Sequence, residues 1–253
     1  MLSKNKIKFL QSLSLKKNRD ETGLFIIEGE KSIQEVLQSP IKMKSIIGSE
    51  EIIMQYTSPQ LEYLPATYAE IKKISSLQTP QGVLAVCEQP GKKPIFPHIT
   101  DKLTLVLDDI QDPGNLGTII RLCSWFGIEN VVCSVNTVDC YNPKVVQSSM
   151  GSIAKVSVQY TNLQPFLNEC RDQNLEIYGA FLDGKNIYAE NLLNKGIIVM
   201  GNEGKGISPE IEKIITKKIT IPNYSINNSG VESLNVSIAT AIICGEFRRQ
   251  LNG

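Results

Sequence analysis

The sequence predicts an α/β protein, a parallel, doubly wound sheet preceded by a smaller αβ layer, and three observations carry that expectation. From Lys102 onward, short runs rich in β-branched residues alternate with stretches of helical periodicity. The first of these runs, KLTLVLDDI (102–110), is continuously apolar at its centre, as a strand buried on both faces would be. Before it, QPGKKPIFPHIT (89–100) carries three prolines and a Gly-Lys-Lys, which is linker composition. The expected organisation is therefore an N-terminal domain over 1–95, a linker over 96–101 and a larger α/β domain over 102–253.

Each element follows from local pattern. Residues 3–19 set Ile7, Leu10, Leu13 and Leu15 among lysines, an amphipathic helix with a charged outer face. A turn at Thr22-Gly23 leads into LFIIEG, a short strand ending at Gly29, and KSIQEVLQS (31–39) is a helix. KSIIGS (44–49) is strand-like, AEIKKISSL is helical, and GVLAVCE (82–88) closes the small layer as a strand. In the second half DPGNLGTIIRLCSWFGI makes a Pro113-Gly114 turn and then a helix, followed by the strand NVVCSV (130–135). PKVVQSSMG (143–151) is a helix, KVSVQY (155–160) a strand, LQPFLNECRDQN (163–174) a helix and LEIYGAFLD (175–183) a strand. GIIVMGNEG (196–204) supplies another buried strand, ISPEIEKII (207–215) a helix capped by Ser208, and KKITIP (217–222) a strand. SLNVSIATAIICGEFRRQL (233–251) forms a long final helix.

Composition narrows the function classes. The 253 residues are 42% apolar, ample for two cores, and 26 Lys plus Arg balance 26 Asp plus Glu. The overall field thus does not draw the chain to nucleic acid, and any such binding has to come from a local patch. The first twenty residues offer one: Lys4, Lys6, Lys8, Lys16, Lys17 and Arg19 stand against Asp20 alone. Six cysteines without a C-x-x-C pair, several inside apolar runs, give a reduced, cytosolic pattern with no disulfide framework and no zinc spacing. No run is long and apolar enough for a membrane span, and no secretory leader is evident. The single histidine, His98, lies in the Pro-rich segment, which leaves no room for a two-histidine metal site and makes a Ser-His-Asp triad depend on that one residue.

Three distant segments share one design: PGNLGTIIR (113–121), VMGNEGKGIS (199–208) and IPNYSINNSGVESLNVS (221–237). Each sets Gly or Pro beside polar side chains where a β-branched run gives way to a helix, the arrangement that builds a ligand crevice at the carboxyl ends of parallel strands. GNEGKG (201–206) is neither a P-loop, because Ile207 stands where the lysine belongs, nor a dinucleotide fingerprint, because its glycine order is reversed. DDIQD (108–112) could bind a divalent ion, yet it lacks a calcium-loop pattern, and turn or cap roles compete. Arg121 follows Asn115 by six residues, and its guanidinium suits a phosphate.

Taken in order and with their spacing, the three segments resemble the motifs of the SpoU (TrmH-like) branch of the SPOUT RNA 2'-O-ribose methyltransferases, over roughly 102–250. KNRDETGLFIIEGEKSIQEVL and TPQGVLAV are similar to the L30e-like substrate-binding domain of ribosomal RNA members. The resemblance implies a C-terminal deep trefoil knot, a homodimer packed through the knotted domain, a cytoplasmic enzyme and S-adenosylmethionine as cofactor. Carried onto this chain, it implies that Met200, Gly201, Gly206, Ile221, Pro222, Ser233 and Leu234 hold the cofactor, and that Asn115, Arg121, Glu203, Ser233 and Asn235 serve catalysis. RNA docking is assigned to Lys4, Lys8, Lys16, Lys17 and Arg19, and no metal is required. In this expectation Arg121 clamps a phosphate and Glu203 or a polarised water accepts the ribose proton. Ribosomal RNA is the expected substrate, with transfer RNA or a catalytically silent ribosome-assembly role as alternatives. One departure stands out: NYSINNS, between Pro222 and Gly230, is longer than the family's link.

Overall fold

A computed structural model describes residues 1–56, 61–91, 99–225 and 233–251. Residues 92–98 of the expected linker, His98 among them, and residues 226–232 inside the third motif, which include the INNS part of its longer link, fall outside them. The chain forms two compact units, Met1–Lys92 with Asp139–Lys155, and Lys93–Val138 with Val156–Gly253. The expected domains were continuous stretches. The units are not, because a seventeen-residue excursion of the second half, Asp139–Lys155, packs with the first.

The first unit begins with α1 (Lys4–Ser12), α2 (Lys16–Thr22) and β1 (Leu24–Glu28), then α3 (Glu30–Leu37) and β2 (Met43–Gly48). It continues through α4 (Glu50–Ile53), β3 (Glu62–Pro65), α5 (Tyr68–Ile74) and β4 (Val83–Glu88). The single helix expected over 3–19 breaks in two. Ser12 and Ser14 donate their hydroxyls to Phe9 O and Gln11 O at 2.7 and 2.8 Å, competing with onward helical pairing, and Leu15 is extended at ψ 132°. Strand order is β1-β4-β2-β3, with β4 antiparallel to β1 and β2, and β3 parallel to β2. Leu10 and Leu13 pack with Ile47, Ile71, Ile74 and Leu84 to make the core. Burying side chains of this kind stabilises by roughly 1.5–3 kcal/mol each, against the entropy of ordering them.

The second unit is built on β5 (Leu103–Leu107), α6 (Pro113–Trp125) and β6 (Asn130–Ser134). After α7 (Pro143–Ser149), which belongs to the first unit, it resumes with β7 (Ser157–Thr161), α8 (Leu163–Asp172), β8 (Ile177–Asn186) and β9 (Gly196–Met200). Short α9 (Pro209–Glu212), β10 (Lys217–Thr220) and α10 (Val236–Arg249) complete it. The sheet runs β10-β8-β9-β5-β6-β7, with every neighbouring pair parallel. Every residue of β5 and β9 is buried, as their unbroken apolar sequences require of central strands. The doubly wound, parallel sheet expected from the sequence is therefore what this unit contains. Helix α9 is shorter than its apolar pattern suggested, and the Ser208 side chain makes no cap bond, its backbone N–H being engaged elsewhere.

Candidate active site

All three motif loops lie in the second unit, at the carboxyl ends of β5, β9 and β10. Leaving β5, the carboxylate of Asp108 is 6% exposed and accepts the Ser208 N–H at 2.8 Å, which pins the first loop to the second. Asp109 takes a left-handed conformation at φ 60°. Its N–H donates to Ser134 Oγ at 2.9 Å, and its carbonyl accepts from Asn202 Nδ2 at 2.7 Å. Asp112 caps α6 by accepting the Asn115 N–H at 2.9 Å, and Pro113 fills the first helical position, where its missing N–H costs nothing. So the acidic DDIQD run serves turn and cap geometry.

The second loop closes on itself. Asn202 and Gly206 exchange two backbone hydrogen bonds of 2.9 Å, and Asn202 Oδ1 accepts the N–H groups of Gly204 and Lys205 at 2.9 and 3.0 Å. This folding needs glycine at two places. A Cβ on Gly201 would lie 2.2 Å from both the Gly206 carbonyl carbon and the Ile207 nitrogen, and Gly206 itself sits at φ 71° facing open space.

Glu203, at the tip of that loop, joins the motifs. Its carboxylate accepts the N–H of Gln111 at 3.3 Å, that of Asp112 at 3.2 Å, and Asn115 Nδ2 at 3.0 Å. Asn115 Oδ1 in turn accepts Asn235 Nδ2 at 2.9 Å. Asn235 caps α10, its Oδ1 receiving the N–H of Ser237 at 2.9 Å and of Ile238 at 3.4 Å, and the Ser237 hydroxyl at 2.6 Å. A carboxylate can only accept, so Asn115 must turn its NH₂ toward Glu203 and its carbonyl toward Asn235. Both amide orientations are thereby fixed by one negative charge.

Desolvation works to raise the Glu203 pKa, but the donors from Asn115 and from the backbone outweigh it and hold the group below its ordinary 4.5. Three donors share the two oxygens of this ionised carboxylate, which makes it a clamp between the first and second loops.

The remaining expected residues take varied positions. Arg121 is exposed on α6, about 9 Å further along the axis than Asn115 at the helical rise of ~1.5 Å per residue. Met200 is 2% exposed and its carbonyl accepts the Asp108 N–H at 2.9 Å. Ile221 and Pro222 are half-buried after β10, and Ser233 and Leu234 are exposed at the entry to α10. Asp108 and Asn202 were missed by sequence reasoning as parts of the site. The signal was an Asp-Asp pair closing a buried strand and an Asn beside a glycine loop, which many turns share.

The basic N-terminal face, in the first unit, disperses. Lys4 and Lys8 are exposed, but Lys6 pairs with Glu62 at 3.0 Å, Lys16 with Asp20 at 2.8 Å and Lys17 with Glu21 at 3.9 Å. Arg19 is 2% exposed and bonded to Asp139 at 2.6 Å, so its assignment to RNA contact is corrected: a buried guanidinium with four of its N–H groups engaged is not presented to a phosphate.

Residues 102–245 match the SpoU rRNA Methylase family and residues 4–85 match the MRM3-like substrate binding domain. This chain belongs to the SpoU rRNA methylase family. It is 31% identical to the 23S rRNA (guanosine(2553)-2'-O)-methyltransferase of Bacillus subtilis, over 96% of both chains. Among solved structures it is similar to a TrmH-family protein from Porphyromonas gingivalis, with 41% identity, 99% of both chains covered and a TM-score of 0.90. An AdoMet-bound rRNA methyltransferase from Sinorhizobium meliloti has 28% identity and a TM-score of 0.87, with 99% of this chain and 97% of that one covered. The SpoU-family chain described here is thus an S-adenosylmethionine-dependent RNA 2'-O-ribose methyltransferase.

Proposed function

We propose that this SpoU methyltransferase modifies a ribose of 23S ribosomal RNA in the cytoplasm, using the crevice defined by Glu203, Asn115 and Asn235. The observation that carries the reading is the hydrogen-bonded chain through those three side chains, which joins the three motifs. Similarity to the Bacillus subtilis 23S enzyme along 96% of both chains, the N-terminal region included, favours the same class of substrate. Among the described residues no helix is long and apolar enough to cross a membrane.

The loops fit S-adenosylmethionine. Gly206 presents backbone with open space beside it, and among the charged side chains of the first two loops Asp109, Asp112 and Glu203 outnumber Lys205, which suits a cationic sulfonium. Met200, Gly201, Gly206, Ile221, Pro222, Ser233 and Leu234 would hold it, and when bound it supplies an electrophilic methyl group. Asn115, pinned on both sides, orients the ribose whose 2'-oxygen attacks. The Arg121 guanidinium clamps the adjoining phosphate and stabilises developing negative charge, while a solvent water takes the hydroxyl proton. Alignment is the main contribution asked of the protein.

The family's trefoil threading is supported by strand order. β10 lies at the sheet edge beyond β8 and β9, yet Asn235 reaches Asn115 at the head of the helix that follows central β5. A homodimer through this unit is supported by apolar exposure on two helices that pack together, with Trp125 84% exposed at the end of α6, and Leu234 and Ile238 47% and 55% exposed at the start of α10. The 1–95 region would act as the RNA-docking domain and 102–253 as the catalytic one.

The test is to incubate the protein with methyl-labelled S-adenosylmethionine and unmodified 23S RNA and to map the labelled ribose. Label on a base, or label that in a parallel incubation appears on transfer RNA and not on 23S RNA, would overturn the proposal.

A further inference from the structure

Helix α10, which lies wholly in the second unit, is tied by directional bonds at both of its ends. At the N-terminal end Asn235 caps the first turn through the N–H groups of Ser237 and Ile238 and donates to Asn115 Oδ1 at 2.9 Å. At the other end, a helix length of 14 residues or about 21 Å away, two side chains that the chemistry does not use reach out of the helix.

Arg248 donates through Nε to Phe126 O at 2.7 Å and through Nη2 to Gly127 O at 3.0 Å. These carbonyls stand just past the end of α6, where no helical N–H is left to satisfy them, and a guanidinium there also complements the negative end of the helix dipole. Gln250 fastens the same turn to the chain that follows β8. Its Oε1 accepts the Leu192 N–H at 3.0 Å, and its Nε2 donates to Glu190 O at 3.1 Å and to Glu246 Oε1 at 2.8 Å. With acceptors on one side and a donor on the other, the Gln250 amide has one orientation. Between its ends α10 packs along α6 and buries Val236, Ile243, Cys244 and Phe247. Apolar packing is non-directional, so it holds the helix against the sheet without setting its exact slide or rotation. A hydrogen bond between two amides demands both.

We propose that Arg248 and Gln250 are positioning residues for methyl transfer, acting through Asn235. By anchoring the far end of α10 to the end of α6 and to segment 190–192, they fix the axial register and rotation of the helix, and so the place where the Asn235 amide meets Asn115. Asn115 lies in the first turn of α6 and Phe126 directly follows its last, so Asn235 and Arg248 clip the same two helices at opposite ends. This rests on the reading of Asn115 and Asn235 as parts of the active site, and its test separates the two.

The variants are Arg248→Ala, Gln250→Ala and Arg248→Lys, each first shown to be folded by circular dichroism. Amide hydrogen exchange at Ser237 and Ile238 is read in the protein alone, with the β9 amides as internal control. For both alanine variants, exchange about tenfold faster in that first turn, remote from either substitution, is expected with β9 unchanged. Turnover should fall about tenfold, part of the hundredfold that a misplacement of about 1 Å can cost, with KM for RNA within about twofold of wild type. Arg248→Lys keeps a cationic donor at the end of α6 and should bring turnover back to within about threefold of wild type. Faster exchange confined to the last turn of α10, a rise in KM alone, or no recovery in Arg248→Lys would overturn the proposal. If exchange in the first turn rises and turnover does not fall, the placement of Asn235 in the active site fails, and the proposal with it. If Arg248→Ala does not fold, Gln250→Ala decides by the same exchange and kinetic readings.

Discussion

The motif crevice and the N-terminal basic face were both marked for function in the sequence, and the structure treats them in opposite ways. The three motif loops come together through hydrogen bonds between residues 88 and 120 positions apart. The six basic residues of the first twenty, by contrast, split into a buried Arg19, paired Lys6, Lys16 and Lys17, and exposed Lys4 and Lys8. The difference teaches what kind of sequence signal survives folding. Glycine, proline and amide side chains at strand ends specify backbone geometry, so they predict a shape. A charge count specifies an average over neighbours not yet known, and carboxylates from the same helix or another strand cancel part of it.

The largest effect should come from the crevice. Asn115→Ala removes the amide that links Glu203 to Asn235, and Arg121→Ala removes the proposed phosphate clamp. Each should lower turnover by about a hundredfold or more while cofactor affinity stays near wild type, as for groups used in positioning and charge stabilisation. Single-turnover assays paired with calorimetry read both, and turnover near wild type would break the contrast with the basic face.

Gly201→Val is the next sharpest, and it should act on cofactor binding. The added Cβ meets backbone at 2.2 Å, so the second loop must open to admit it. Titration with S-adenosylmethionine should show at least about a tenfold loss of affinity, a steric cost in the range of overpacked sites. Unaltered affinity would detach this loop from the cofactor.

A smaller effect concerns pH. Because the folded-state pKa of Glu203 is depressed, its contribution is fully present above its ordinary 4.5 and is lost as pH falls through the lowered folded value. Turnover between pH 6 and 9 should therefore show no limb belonging to Glu203, and Glu203→Gln should keep the shape of the profile with a uniform drop of about tenfold, as expected where one of several donors loses its acceptor. A limb near neutrality that vanishes in Glu203→Gln would restore its role as base.

The smallest change is expected at the basic face. Lys16→Glu with Lys17→Glu should weaken RNA binding and reduce the slope of log affinity against log salt by less than about 1 per lysine, since Asp20 and Glu21 already partner them. A loss as large as that of the motif variants would show that the two regions are not so different after all.

The sequence by itself determined the alternation of strands and helices, the burial of LTLVL and GIIVM as central strands, and the three loops where chemistry gathers, because these depend on periodicity and on residues that allow few backbone conformations. Only the tertiary structure decided that Arg19 turns inward, that Asp139–Lys155 leaves its own half to pack with the other, and that Glu203 is a clamp. Each of those outcomes is a choice of partner across a long stretch of chain. No local pattern records which carboxylate a guanidinium will find once both are removed from water.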